Sequence, residues 1–164
     1  MARSSPRLTS DSPAATEALG AGLGAALRAG DVIVLTGALG AGKTCLVRGV
    51  VAGAGGDPGG VRSPTFVIHQ PHRCSSLTVH HVDLYRLGRG ASVDVLDLDS
   101  ALEGGAAVIE WGEYADLSRF SPASLCIDAP GQGPDDRVLW LVDPAPAHLA
   151  RAWRALSQSR QAAT

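Results

Sequence analysis

Residues 31–44 read DVIVLTGALGAGKT, and their pattern indicates the class of fold. Its first part, residues 31–36, is short and rich in β-branched residues, as is typical of a buried strand in a parallel sheet. Its second part, residues 37–44, has the spacing Gly-x4-Gly-Lys-Thr, and we expect a helix from Gly42 to about Val51. A strand that leads through a glycine-rich turn into a helix predicts an α/β fold.

The glycine-rich turn has the composition of a phosphate-binding loop. Glycines let backbone N–H groups turn inward around phosphate oxygens, and the helix that follows adds the positive end of its dipole. Lys43 is the single lysine of the chain, and a compact ammonium fits between β- and γ-phosphates where a planar guanidinium would crowd. The alternative is an ordinary strand-to-helix turn with a solvated lysine. The phosphate-binding interpretation predicts ATP as the ligand, held by Gly37, Leu39, Gly40, Ala41, Gly42, Lys43, Thr44 and Cys45.

Two carboxylates lie where apolar segments end, at Asp83 and Glu110. We expect the Thr44 hydroxyl to bind Mg²⁺, which also needs at least one acid, directly or through water, from a neighbouring strand end. An isolated acid is more often a helix cap or a solvated carboxylate. Two of them, each ending an apolar strand and predicted beside a phosphate-binding loop, favour a metal site.

Length, composition and charge limit the remaining possibilities. The 164 residues are 45% hydrophobic, which fits one domain, predicted over residues 13–156 between flexible tails at residues 1–12 and 157–164. The formal net charge of −2 provides no basic stripe, so we expect no DNA binding, and RNA contact only through a partner. No uninterrupted apolar run reaches about 18 residues, and the N-terminus lacks a signal-peptide pattern. A cytoplasmic protein without membrane contact is therefore expected.

Periodic apolar residues and breakers predict the other elements. A first helix is expected over residues 13–28, whereas the five glycines and the proline of residues 53–60 exclude regular structure and favour a mobile loop. Strands over residues 66–70 and 77–82 should pair antiparallel. The remaining predicted elements are a short helix over residues 93–98 capped by Ser92, strands over residues 106–109, 125–127 and 138–142, and a closing helix over residues 147–156.

Ser63 and Thr65 flank Pro64 in the loop that precedes the predicted hairpin. Phosphate-binding proteins often keep a segment there that becomes ordered around the γ-phosphate, and the two hydroxyls would sense that group or orient water. Taken alone, the same string is more typical of a turn stiffened by proline.

Imidazole and indole side chains raise two further hypotheses. His80 and His81 lie near Cys74 and suggest zinc, but adjacent strand residues face opposite sides and no paired ligand spacing is present. Trp111 follows the strand that ends at Glu110, and an aromatic residue there belongs more often to the core than to an adenine site. Zinc is disfavoured, and Trp111 is kept as a candidate nucleotide contact.

Residues 128–131 read DAPG and match the Asp-x-x-Gly string of GTPases. Guanine recognition in those proteins uses a string that contains lysine, and the only lysine of this chain lies in the glycine-rich turn. We therefore interpret residues 128–131 as a turn after a strand.

Four strings occur together in a fixed order: GALGAGKT at residues 37–44, RSPTF at residues 62–66, HVDLYRL at residues 81–87 and IEW at residues 109–111. Together they resemble the TsaE family, the ATPase component of the bacterial machinery that makes threonylcarbamoyladenosine in tRNA. The resemblance covers roughly residues 16–142. The combination is far more specific than any one of the strings.

The resemblance implies a three-layer P-loop NTPase-like α/β domain with a mixed sheet of parallel and antiparallel strands. It implies that Lys43 binds phosphate, that Thr44 and Glu110 hold Mg²⁺, and that Asp83 is needed for hydrolysis. It also places Ser63 and Thr65 in a switch-like loop. The further positions that resemble family residues near the nucleotide are Thr16 and Arg137.

The resemblance also implies partners and an activity. TsaE proteins work with TsaD and TsaB, where ATP hydrolysis resets the complex between catalytic cycles. We therefore expect a slow ATPase that these partners stimulate and that meets tRNA only through the complex. Ala38 and Cys45 depart from the family pattern, which keeps open a nucleotide-binding module with negligible hydrolysis. A small-molecule kinase is disfavoured, because no arginine-rich lid follows Glu110.

Overall fold

The computed structural model describes residues 5–63 and 68–163. Its strands are β1 (Arg7–Ser10), β2 (Val32–Thr36), β3 (His69–Arg73), β4 (Thr78–Asp83), β5 (Gly105–Glu110), β6 (Ala123–Asp128) and β7 (Arg137–Val142). Its α-helices are α1 (Pro13–Ala26), α2 (Lys43–Gly53), α3 (Leu98–Glu103) and α4 (Ala147–Ala162).

All seven strands form one sheet in the order β1-β7-β6-β2-β5-β4-β3. The four central strands, β6, β2, β5 and β4, run parallel, whereas β7, β1 and β3 pair antiparallel with their neighbours. This arrangement confirms the predicted mixed sheet. Because β2 lies between two parallel strands, its residues Val32–Leu35 are buried on both faces of the sheet.

Two hydrophobic clusters lie on opposite faces of the sheet. On one face, Ile33 and Leu35 of β2 pack with apolar side chains from α1, α2 and α4, including Trp153. On the other face, Val32 and Val34 belong to a second cluster, to which α3 contributes Leu98. Helical segments thus cover both faces of the sheet, as the predicted three-layer fold requires.

The predictions for the two chain ends are wrong where they place flexible tails. Residues Arg7–Ser10 form the edge strand β1, with Leu8 buried in the core. Helix α4 continues past Ser157 to Ala162, and Leu156 packs against the core cluster. The Trp153 indole N–H donates to the Pro6 carbonyl at 2.8 Å, which ties the two ends together. Contacts between residues so far apart leave no local sequence signal.

Three internal elements also differ from their predictions. Strand β3 includes Pro71, which a central strand would exclude; β3 is an edge strand, where a missing backbone donor is tolerated. Residues 58–60 form a short 3₁₀ turn capped by the Asp57 side chain, although no regular structure was expected there. The predicted helix over residues 93–98 is instead a 3₁₀ turn followed by α3, which begins at Leu98 after Asp97 in a left-handed conformation.

Helices α1 and α2 approach so closely that glycine is required at their contact. A Cβ atom added at Gly49 would lie 2.0 Å from the Glu17 carbonyl oxygen, and one at Gly53 would lie 2.0 Å from that of Ala21. Both obstacles are backbone atoms, which a rotamer change cannot move. The close approach sets the position of α2 and therefore of the glycine-rich turn that precedes it.

We expect Gly49→Ala to lower the free energy of unfolding by about 3 kcal/mol, because overpacking outweighs the gain of about 1 kcal/mol in helix propensity. Chemical denaturation of both proteins measures the difference. The matched control is Gly104→Ala, since Gly104 has a negative φ and open space where its Cβ would lie. That control should change the free energy of unfolding by less than about 0.5 kcal/mol. Equal effects of the two changes would contradict the prediction.

Candidate active site

A cleft of about 280 Å³ opens where the parallel strands β2, β4 and β5 end. The carboxyl ends of parallel strands meet at one edge of a sheet, and ligands of open α/β folds bind in the crevice outside that edge. The cleft is lined by Leu39, Gly40, Gly42, Lys43, Thr44, Cys45, Ser63, Asp83, Glu110 and Trp111.

Lys43, the first residue of α2, is 6% exposed. Its ammonium group donates hydrogen bonds to the Gly37 carbonyl at 2.6 Å and to the Ala38 carbonyl at 2.9 Å. It also lies 4.3 Å from the centre of the Trp111 ring. Burial lowers the pKa of Lys43 from its ordinary value, against the opposing effect of Glu110 and two other acids. The turn thus encloses a cation that polar backbone groups and an indole face stabilise.

Glu110 links the end of β5 to the start of α2. Its carboxylate, 3% exposed, accepts the Thr44 hydroxyl at 3.0 Å through Oε1. Asp83 ends β4 directly opposite Glu110 in the parallel register. A hydroxyl and two carboxylates at one edge offer the oxygen ligands that Mg²⁺ prefers, with places left for phosphate oxygens and water. The oxygen atoms of Thr44 and Glu110 therefore fit a magnesium ion.

His81 completes the surroundings of Glu110 and was missing from the predicted site. Its Nε2 atom lies 2.9 Å from Glu110 Oε2, and the imidazole is fully buried. The sequence pattern suggested His81 as a zinc ligand and included it in the string at residues 81–87, but gave no sign of its contact with Glu110. Among the residues that the structure describes, no cluster of three or more histidine, cysteine or acidic side chains could hold a metal.

Three aromatic rings form a group beside the cleft. Trp111 lies between Tyr85 and Tyr114, with ring centres 5.0 Å and 5.4 Å away. Trp111 adopts a left-handed backbone conformation directly after β5, which places its indole at the cleft rather than in the sheet. Of the two interpretations offered for Trp111, its position fits a cleft residue better than a purely core one.

Arg137 does not line the cleft but binds carbonyl groups of the glycine-rich turn. Its guanidinium donates to the Ala41 carbonyl at 2.6 Å and to the Gly40 carbonyl at 3.4 Å, and further to the Asp136 and Pro134 carbonyls. These bonds connect the first residue of β7 to a turn 96 residues earlier. Arg137 is therefore placed to position the turn.

Comparison with known proteins identifies the family. The family model described as "Threonylcarbamoyl adenosine biosynthesis protein TsaE" matches residues 10–137. The chain belongs to the TsaE family. The resemblance drawn from the four sequence strings is thereby confirmed.

Relatives named tRNA threonylcarbamoyladenosine biosynthesis protein TsaE are similar to this chain. The Mycobacterium bovis relative is 48% identical over 107 residues, covering 60% of this chain and 63% of that protein. The Streptomyces coelicolor relative is 48% identical over 98 residues, covering 58% and 66%. The Rickettsia conorii relative is 36% identical over 105 residues, covering 64% and 60%. The matched region spans less than two thirds of the length of each of these relatives.

A solved structure confirms the fold class. The crystal structure of Bacillus subtilis YdiB superimposes with a TM-score of 0.68 at 22% identity, covering 94% of this chain and 95% of that chain.

No helix among the described residues has the length and apolar character needed to cross a membrane.

The structure brings most of the residues implied by the TsaE resemblance to one cleft. Gly37 and Ala41 belong to the same turn but contribute carbonyl groups that bind Lys43 and Arg137. Thr16 does not line the cleft; it is buried in α1, and its hydroxyl shares a 2.7 Å hydrogen bond with that of Ser10. Ser63 lines the cleft, whereas Thr65 lies outside the described residues.

Asp83 carries a free-energy cost in the folded state that a neutral residue would avoid. Burial raises the pKa of its carboxyl group above the ordinary value of 3.8, although the Tyr85 N–H donates to it at 2.9 Å. A raised folded-state pKa means that the folded protein binds the proton more tightly than the unfolded chain does. The stability associated with Asp83 is therefore greatest below pH 3.8 and is lost as the pH rises through the folded-state pKa.

We expect Asp83→Asn to melt at a higher temperature than the parent at pH 7, because an amide keeps the bond from Tyr85 without burying a charge. The difference should vanish as the pH falls below about 4. Thermal melting from pH 3.5 to 8 measures it. Asp116→Asn is the control of opposite sign, since hydrogen bonds from Ser118 lower the pKa of that exposed carboxyl group, and the change should not raise the melting temperature at pH 7. An advantage for Asp83→Asn that grows toward low pH would contradict the assignment.

Proposed function

We propose that the protein binds ATP with Mg²⁺ in the cleft and hydrolyses it slowly. The observation that carries the proposal is the convergence of Lys43, Thr44, Asp83 and Glu110 on one cleft, from α2, β4 and β5. A phosphate-binding turn alone would support nucleotide binding. The two carboxylates at adjacent strand ends support hydrolysis as well, because a metal ligand and a water-positioning group are what the reaction needs.

Each residue has a role that follows from its present contacts. The Lys43 ammonium, which now binds two carbonyls of the turn, would exchange them for β- and γ-phosphate oxygens. Thr44 and Glu110 would hold Mg²⁺, which when bound neutralises charge on the phosphates. Asp83, with Oδ1 already accepting the Tyr85 N–H, has its second oxygen for orienting water. Trp111 would bound the cleft beside the phosphates, since it already lies against Lys43.

Family membership supports the wider role. We propose that the protein serves tRNA threonylcarbamoyladenosine biosynthesis through a complex with TsaD and TsaB proteins, and that its nucleotide state controls docking on them. The chain carries a formal net charge of −2, so tRNA contact would come through those partners rather than through a basic surface of its own. Slow turnover in isolation and stimulation by the complex follow from this role.

The test is ATP hydrolysis by the purified protein with and without TsaD and TsaB from the same organism. We expect slow release of phosphate that requires Mg²⁺ and rises severalfold when both partners are added. Asp83→Asn, which should remain folded, is expected to abolish the stimulated rate. An unstimulated rate that Asp83→Asn leaves unchanged would refute the proposal. ATP binding without any hydrolysis would favour the nucleotide-binding module.

A further inference from the structure

The Glu110 carboxylate is held from two sides. Thr44 donates to Oε1 at 3.0 Å, and His81 Nε2 lies 2.9 Å from Oε2. A carboxylate accepts hydrogen bonds and has no proton to give, so His81 Nε2 is the donor. His81 therefore occupies one oxygen of Glu110 and leaves the other directed toward the cleft residue Thr44.

Within the described part of the chain, the contact with Glu110 is the side-chain hydrogen bond that explains a histidine at position 81. Its imidazole is fully buried in β4, and its Nδ1 atom has no hydrogen-bond partner within the described part of the chain. Two facing groups on β3, Gln70 Oε1 and His72 Nε2, are equally buried and equally without a partner there. Burying an unpaired polar atom costs free energy that an aliphatic residue, such as the neighbouring Val79 or Val82, avoids. The bond to Glu110 is the contact that offsets this cost.

We propose that His81 is a positioning residue that fixes the Glu110 carboxylate for binding a divalent cation. The inference rests on the proposed function, in which Glu110 is a ligand of Mg²⁺. Without the His81 donor, the carboxylate would rotate about its last bond, and its Oε1 atom would no longer stay directed toward Thr44. Groups that orient a metal ligand through a hydrogen bond commonly change metal affinity by about 10- to 100-fold. His81 should therefore affect the cation and leave phosphate binding largely unchanged.

The experiment measures Mn²⁺ binding by electron paramagnetic resonance in the presence of ADP, together with ADP affinity in metal-free buffer. We expect His81→Leu to weaken Mn²⁺ binding about 10-fold or more while metal-free ADP affinity stays within about 2-fold. His81→Gln should recover most of the loss, because its amide nitrogen replaces Nε2 as the donor. The concentration of Mg²⁺ that gives half-maximal ATP hydrolysis should shift in the same order.

His80→Leu is the matched control on the same strand. His80 faces the other side of the sheet, where its Nδ1 lies 2.8 Å from His69 Nε2, so its loss should leave Mn²⁺ binding unchanged. An equal loss in His80→Leu and His81→Leu, or a His81→Leu protein within about 2-fold of the parent, would overturn the inference.

If His81→Leu fails to fold, two amide variants replace it. His81→Gln places a donor near the position of Nε2, whereas His81→Asn places one near Nδ1 and cannot reach Glu110. Stronger Mn²⁺ binding by His81→Gln supports the inference, and equal binding by the two overturns it. A parent protein that binds Mn²⁺ and ADP without hydrolysing ATP would refute the proposed hydrolysis. The inference about His81 would still be decided by Mn²⁺ binding of the variants.

Discussion

Lys43→Ala should lose ATP binding almost completely, with the dissociation constant rising by about 100-fold or more. The change removes a cation that would donate charge-assisted hydrogen bonds to the nucleotide, together worth about 3 kcal/mol. Lys43 is the single lysine of the chain and is enclosed by the turn that would surround the phosphates. Isothermal titration calorimetry with ATP and Mg²⁺ measures the loss directly.

The matched control for Lys43→Ala is Arg48→Ala. Arg48 carries the same charge on the same helix but does not line the cleft, so its removal tests whether general loss of positive charge weakens binding. We expect an ATP affinity within about 3-fold of the parent, as for a charge that lies outside the cleft and acts on it through solvent. Undiminished ATP binding by a folded Lys43→Ala protein would invalidate the phosphate-binding interpretation of residues 37–44.

Glu110→Gln should reduce the rate of ATP hydrolysis by about 100-fold, because losing a charged metal ligand removes about 3 kcal/mol of charge stabilisation. The amide introduced by this change has one oxygen, which can accept a hydrogen bond from either Thr44 or His81. Its NH₂ group then faces the remaining donor, which loses its acceptor. ATP affinity measured without Mg²⁺ should change little, since Glu110 would act through the metal. Phosphate release and calorimetry with and without Mg²⁺ separate the two effects.

Glu113→Gln provides the control for the loss of an acid near the cleft. Glu113 lies in the 3₁₀ turn after β5, is exposed and does not line the cleft, yet its charge acts on Lys43. We expect its rate of hydrolysis to stay within about 3-fold of the parent. A Glu110→Gln protein that keeps both the rate and its dependence on Mg²⁺ would exclude Glu110 from the metal site.

Local pattern predicted the part of the fold that forms the cleft. The buried strand, the glycine-rich turn and α2 are adjacent in the chain, and the structure places them as expected. Asp83 and Glu110 were predicted at neighbouring strand ends because apolar segments stop there, and β4 and β5 pair in the register that aligns them. Element ends were less well predicted. The strand through Pro71 and the 3₁₀ turn at residues 58–60 depend on sheet position and on the Asp57 cap.

Local sequence was enough to predict the glycine-rich turn, the cation within it and the order of strands and helices around it, since these follow from backbone freedom and apolar periodicity over short stretches. The folded chain was needed to show that His81 contacts Glu110 across 29 residues and that Arg137 binds the turn across 96. It was also needed to show that residues 7–10 join the sheet as β1. Such contacts depend on which strands pair and how closely helices pack, and no local pattern encodes that choice.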